Sequence, residues 1–388
     1  MKKTAILVFA ALFAVPAFAA NAVQFMVSED VTYNDNIYLK DKNYSKVNPK
    51  YGEKKSSFIS TTRAGANYKA QIPTTDLDVK AGAMVGYNAY TEKPAHNNYW
   101  DATGAVEVAN EQIKLGDRLV YTSDPANNEL TELHKRMSNN AYASYKTTNK
   151  KPLGLGLSVG DTFDRYFEAT MSYLNRNRFD AAAQVYYNFN TKTNVFVEYL
   201  FSDIVYQNTN IGNSVGHRAG VGINGQIAPK VTGTAKLTYD MRDYEYDWGN
   251  AENHPDLLGY YVALTWKPST RDTIRLSGER KMEETRYADT TGYNRFFADT
   301  LVALYGQHKF NSKWSASLTL GWEDMAYDRY VGGKKRQDNL YTVRPQVDYV
   351  FKEWLMASLW YQYRTRHSNS QRFEYDNNRA GISLKALF

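Results

Sequence analysis

The chain has 388 residues, 43% hydrophobic and 14% aromatic with 32 tyrosines, a formal net charge of +6 and a mean hydropathy of −0.59. Its body contains no apolar run of about 18 residues, which excludes a membrane-spanning helix. The absence of cysteine excludes a disulfide framework and thiolate metal or redox chemistry.

At the start, "MKKTAILVFAALFAVPAFAA" places Lys2 and Lys3 before an apolar core and ends in the small-x-small pattern Ala17-Phe18-Ala19. That order predicts a secretory signal peptide over residues 1–19, leaving 20–388 as the exported domain. Further along, the apolar period is two. In "VTGTAKLTYDMR", Val231, Ala235, Leu237, Tyr239 and Met241 alternate with Thr232, Thr234, Lys236, Thr238, Asp240 and Arg242. "TIRLSGERK" sets Ile274 and Leu276 against Arg275, Glu279 and Lys281, with Arg280 breaking the pattern near its end. "LMASLWYQYRTR" sets Leu355, Leu359, Tyr361 and Tyr363 against Met356, Trp360, Gln362, Arg364 and Arg366. These are strands, each with one apolar and one polar face. At roughly 10 to 15 residues they exceed the usual strand of a soluble sandwich and suffice to cross a bilayer at a tilt. Aromatics near segment ends, such as Trp314, Trp322, Tyr361 and Tyr363, suit interfacial girdles.

Short turn-rich pieces recur at Ile72, Asn110, Thr148, Asn190, Ile227, Pro268, Phe310 and Phe351, 37 to 42 residues apart, with longer polar stretches between them. Eight short turns divide the exported domain into nine hairpins. The prediction is an all-β transmembrane antiparallel barrel of about 18 strands, with 16 as the second choice, short periplasmic turns and longer extracellular loops. Its place would be the outer membrane of a Gram-negative-type bacterium, in contact with lipid. In "AGISLKALF", Ile382, Leu384 and Phe388 fall on one face, so the last strand should lie against lipid and pair with the first, near Val23 to Tyr33. Closure satisfies every backbone group in a medium without water. This terminal strand resembles the C-terminal assembly signal of bacterial outer-membrane barrels, which implies the barrel assembly machinery as a partner.

A cation on the lipid face near mid-bilayer costs roughly 2 to 4 kcal/mol. Strand-borne cations should therefore face the lumen, and parity places Arg63, Lys80, Arg178, Arg218, Lys236, Arg242, Arg275, Arg344, Arg364, Arg366, Arg379 and Lys385 there. The clearest inward acids are fewer: Asp78, Asp180, Glu198, Asp240, Glu279 and Asp348. A net-basic lumen favours anions, although cross-strand pairing with acids would neutralise part of it. A barrel of this size leaves an aqueous channel, and the first long loop, Asn34 to Lys55, is the expected constriction.

Catalysis finds little support. The six histidines, His96, His134, His217, His254, His308 and His367, sit in different hairpins with no recognisable carboxylate–histidine spacing, and a loop histidine is ordinarily exposed. Ser214 and His217 differ in parity, and "GLGLSVG" only partly matches a nucleophile elbow. "NDN" and "DNN" are turn material more than metal ligands. No cofactor, metal or nucleic-acid partner is expected, since the cations line a pore.

The first strand and loop, "SEDVTYNDNIYL", place Glu29 ahead of Thr32, Tyr33, Asp35, Asn36 and Ile37. This stretch resembles the opening of the putative beta-barrel porin 2 family of bacterial outer-membrane proteins. The resemblance implies a wide barrel, and the association of many members with exopolysaccharide export implies a passive conduit for acidic polysaccharide. Anionic solutes are the other expected cargo. The alternatives are a structural or adhesive barrel whose surface loops bind a partner, and a barrel hydrolase. Oligomeric state is open.

Overall fold

Period-two alternation gives each strand a face for lipid and a face for water, and only a closed sheet lets all such faces agree. The computed structural model, which describes residues 22–41, 54–72, 75–92, 98–148, 151–207, 212–245, 254–285, 296–331 and 334–388, forms that sheet from eighteen strands. They are β1 (Ala22–Asn34), β2 (Ser57–Ile72), β3 (Leu77–Tyr90), β4 (Tyr99–Ala109), β5 (Ile113–Thr122), β6 (Arg136–Lys146), β7 (Leu153–Tyr166), β8 (Arg176–Asn190) and β9 (Thr193–Tyr206). There follow β10 (Ser214–Ala228), β11 (Val231–Tyr244), β12 (Asp256–Trp266), β13 (Asp272–Glu284), β14 (Phe296–Lys309), β15 (Trp314–Val331), β16 (Lys334–Lys352), β17 (Leu355–Ser368) and β18 (Tyr375–Leu387). The expected signal peptide lies outside the described residues.

Each strand pairs antiparallel with its sequence neighbours, and β1 also pairs with β18, from Met26 opposite Leu387 to Asn34 opposite Arg379. Phe25 and Phe388 exchange both backbone hydrogen bonds at 2.9 Å. The count is eighteen, and the eight short turns all fall at one end, as expected. One hairpin departs from the predicted long loops: β15 and β16 run 18 and 19 residues and are separated only by residues 332–333. There the strands themselves extend past the others, because their upper residues find ladder partners instead of forming a loop.

Outward side chains are exposed and apolar, with Leu237 at 60% and Ile382 at 59%. Aromatic pairs ring both ends. Trp314–Tyr349 (4.5 Å), Tyr349–Phe351 (4.7 Å) and Trp354–Phe388 (5.9 Å) lie at the short-turn end, and Tyr33–Phe58 (5.2 Å) and Tyr87–Trp100 (4.8 Å) at the other. Such girdles suit the two membrane interfaces. The outer face also carries a few polar groups, most of them satisfied by the adjacent strand. Glu29 accepts from Ser60 and Thr62 at 2.5 Å each, Asp117 from Asn139 at 2.6 Å, and His217 shares a 2.6 Å bond with Tyr199. Arg280 is outward and exposed where the β12–β13 pairing ends.

Above the sheet, the described part of the first loop closes the β1–β18 seam. Asn36 is fully buried and donates to the Asp376 carbonyl at 2.8 Å, while Asp35 accepts from the Asn378 backbone at 2.7 Å.

Candidate functional site

The register places all twelve predicted cations on the inward-facing parity of their strands, and their partners divide them. Arg63 lies 3.3 Å from Asp101 and 3.5 Å from Asp30; Lys80 is 3.5 Å from Glu107; Arg178 is 2.9 Å from Asp180; Lys236 is 2.5 Å from Glu198. Arg218 pairs with Asp240, Arg242 with Glu284 at 2.8 Å, and Arg366 with Asp338 at 3.9 Å. Pairing with acids thus accounts for seven cations, six of them across strands and Arg178 within β8.

Among the described residues, Arg275, Arg344, Arg364, Arg379 and Lys385 make no ion pair with a carboxylate. Arg275 lies over the Tyr305 ring at 5.4 Å. The others collect on one wall, β16–β18. Trp360, inward on β17, holds Arg344 at 4.6 Å and Arg379 at 5.7 Å from its ring. Its indole lies against β18 because position 381 is glycine; a Cβ there would come within 2.6 Å of the ring. Arginine over an aromatic face gains cation–π attraction without being neutralised. The Nε groups of Arg344 and Arg379, and the Nε and Nη1 of Arg366, are buried and have no protein acceptor. Buried donors ordinarily find a partner, so this wall presents unspent hydrogen-bonding capacity of positive sign.

Facing it, the β5–β6 loop (residues 123–135), which the sequence pattern did not single out, folds into the lumen. The expected constriction was the first loop, whose middle, 42–53, lies outside the described residues. The tip of the β5–β6 loop reaches a wall at least six strands away round the ring. There the Asn128 amide donates to Glu323 on β15, while Arg364 donates to the Asn128 side-chain oxygen and Arg366 to its backbone carbonyl. Next to it, Glu129 accepts from Thr285. Leu130 explains why a polar stretch turns inward, since it packs on the buried cluster of Tyr166, Met171 and Leu174.

The upper end of β13 also bends inward. β12–β13 pairing stops at Tyr260 opposite Arg280, and beyond it Glu284 accepts from Arg242 (2.8 Å), Tyr206 (2.6 Å), Arg176 (3.5 Å) and Ser214, all on β8–β11. Sequence parity gave no hint of this convergence, because a peeling strand no longer obeys the parity of the sheet.

At the rim, His134 lies 2.7 Å from Glu168 and 3.7 Å from Glu132, and Glu132 is 3.2 Å from Lys40 of the first loop. The nearby Glu132 carboxylate, then the hydrogen bond to Glu168, raises the His134 imidazole above its ordinary range against the opposing effect of burial. The same contact holds Glu132 down at about 2. His134 is therefore half-buried and clasped, not simply exposed as a loop histidine was expected to be. No hydroxyl nucleophile accompanies it among its hydrogen-bond partners. Ser214 faces inward onto Glu284 while His217 faces outward onto Tyr199. Among the described residues no cluster of three metal-ligating side chains occurs.

The family model described as putative beta-barrel porin 2 matches residues 41–388. The "SEDVTYNDNIYL" stretch lies just before the matched segment, so the match is carried by the rest of the barrel. Among solved structures, OccAB4 of Acinetobacter baumannii is similar at 12% identity and a TM-score of 0.51, covering 94% of this chain and 98% of its own. OpdK of Pseudomonas aeruginosa (11%, TM-score 0.50, 96% and 100%) and OpdL of the same organism (11%, 0.50, 95% and 99%) share the barrel to the same degree. No curated protein matches the sequence.

Proposed function

Since the chain belongs to the putative beta-barrel porin 2 family and forms a closed barrel of the bacterial outer membrane, we propose that it is a passive channel for anionic solutes, without enzymatic activity. One observation carries this reading: among the described residues, Arg344, Arg364 and Arg379 share one inner wall without an ion pair to a carboxylate, and two of them keep unspent buried donors. Guanidinium groups bind carboxylate and phosphate oxygens through charge-assisted hydrogen bonds. Three grouped on one wall of a pore lower the barrier for an anion without neutralising acids to compete for it, and conduction requires that such binding stay weak enough for release. A polysaccharide strand is the less favoured cargo, because the β5–β6 loop spans the lumen and would have to leave before a polymer could thread. Neither cofactor nor nucleic acid has a role in this reading; lipid and the assembly machinery would be the partners of the outer face and the terminal strand.

Recordings in planar bilayers under a KCl gradient test it. The expected reversal potential is on the chloride side, and Arg344→Ala with Arg379→Ala should move it toward potassium. A folded protein that prefers potassium, or whose preference ignores both substitutions, would overturn the proposal.

A further inference from the structure

The tip of the β5–β6 loop occupies the basic wall in a particular way. Arg364 and Arg366 project two residues apart from the same face of β17, and each directs an Nη2 donor at one oxygen of Asn128. A pair of guanidinium groups receiving two oxygens of a single residue is the arrangement that an anion with two oxygens would take. Asn128 is uncharged, however, and its third polar group, the side-chain amide, is spent on Glu323. Glu129 adds a second anchor on Thr285, at the inward-bent end of β13. Beyond the tip, Leu130 packs on the cluster of Tyr166, Met171 and Leu174, and the base is tied where the His134 backbone N–H donates to the Ser123 carbonyl at 3.0 Å, so it is the Asn128 tip that can swing off the wall.

We propose that the β5–β6 loop is an anion-released latch: Asn128 is a tethered stand-in for the oxygens of the solute, and a carboxylate reaching Arg364 and Arg366 displaces it and opens the lumen. The inference rests on the reading of this wall as an anion path. Displacement is physically accessible because a charged acceptor forms a stronger bond to guanidinium than a neutral carbonyl does. A tethered group competes with an effective concentration on the order of millimolar, so carboxylate in the millimolar range should release it.

The chain has no cysteine, so thiols can be placed at will. In the Glu129→Cys/Thr285→Cys double variant, a short reducible bis-methanethiosulfonate crosslinker would hold the loop across the lumen without altering either arginine. Single-channel conductance is then read while acetate is raised to about 50 mM at constant ionic strength, well beyond the effective concentration of the tethered loop. The crosslinked pore should stay at its resting conductance, and the reduced pore should gain conductance as acetate rises. Asn128→Ala should show the higher conductance from the start, with no acetate dependence. Equal conductance in crosslinked and reduced pores, or a reduced pore that acetate only blocks, would overturn the latch. The reversal potential in the same recordings separates the two ideas: an anion-selective pore indifferent to the crosslink rejects the latch alone, while a cation-selective pore rejects the anion path on which it rests.

Discussion

Glu284 draws hydrogen bonds from four separate strands. Its carboxylate is 3% exposed and accepts hydrogen bonds from Arg176, Tyr206, Ser214 and Arg242, one from each of β8 to β11. Taking such charges out of water is costly, and the arrangement holds only because every partner is present. Removing the acid leaves Arg176 with Asp164 alone at 3.1 Å and Arg242 with no other ion pair among the described residues. Glu284→Ala should therefore lower barrel stability by about 3 to 5 kcal/mol, the cost of breaking a buried pair. Glu284→Gln, which keeps the shape and most acceptors, should lose less. Urea unfolding in lipid vesicles measures both, and an alanine variant as stable as the parent would show that the convergence contributes nothing. Nothing local in "RKMEETR" announces this role; it follows from where β13 leaves β12.

At the scale of the element, the strands were legible and the loops were not, for one physical reason. A strand declares its faces within its own sequence, so Leu355 and Arg364 reveal opposite sides by parity alone. The β5–β6 loop takes its shape from partners 195 to 238 residues away, and no short-range pattern encodes Asn128 meeting Glu323, Arg364 and Arg366. Leu130, an apolar residue in a polar run, was the one local sign that the loop is packed. The rim clasp at its base is likewise tertiary, and it makes the loop sensitive to pH. Facing His134 are Glu132 of its own loop and Glu168 before β8; Lys40 faces Glu132 from the first loop, and the Lys135 backbone donates to Glu168 at 3.1 Å. The raised His134 pKa contributes stability that is complete below about pH 6.5, the ordinary imidazole value, and is lost as pH rises through the higher folded value. Glu132 contributes above its ordinary range and loses that contribution as pH falls toward about 2. Hydrogen-exchange protection of the His134 and Phe167 amides should accordingly be greatest between about pH 4.5 and 6.5 and decline on the alkaline side. In His134→Gln the alkaline decline should vanish; a parent protein with flat protection factors across that range would refute the clasp.

For the whole molecule, the decisive property is that it is inverted relative to a soluble protein, with water inside and hydrocarbon outside. Its negative mean hydropathy, the even strand number and the match of its two edge strands are all consequences of that inversion. Charges need not be absent from the outer face, as Glu29 and Asp117 demonstrate, provided a neighbouring strand supplies hydroxyl or amide donors. A lysine placed where no such donor exists has no remedy. Ile382 and Ser383 are adjacent on β18 near the middle of the strand, the first outward at 59% exposure and opposite Val31, the second inward and bonded to Asp30. Ile382→Lys should cost about 2 to 4 kcal/mol of stability in vesicles, the midplane cost of a lipid-facing cation. Ser383→Lys places the same charge beside Asp30 in the water-filled interior and should cost far less. The comparison isolates direction from composition, since both variants add one lysine to the same strand within one residue. Equal losses, measured by urea unfolding in the same bilayer, would mean that the two faces of β18 do not meet different solvents, and the barrel would lose its membrane orientation as an explanation of its sequence.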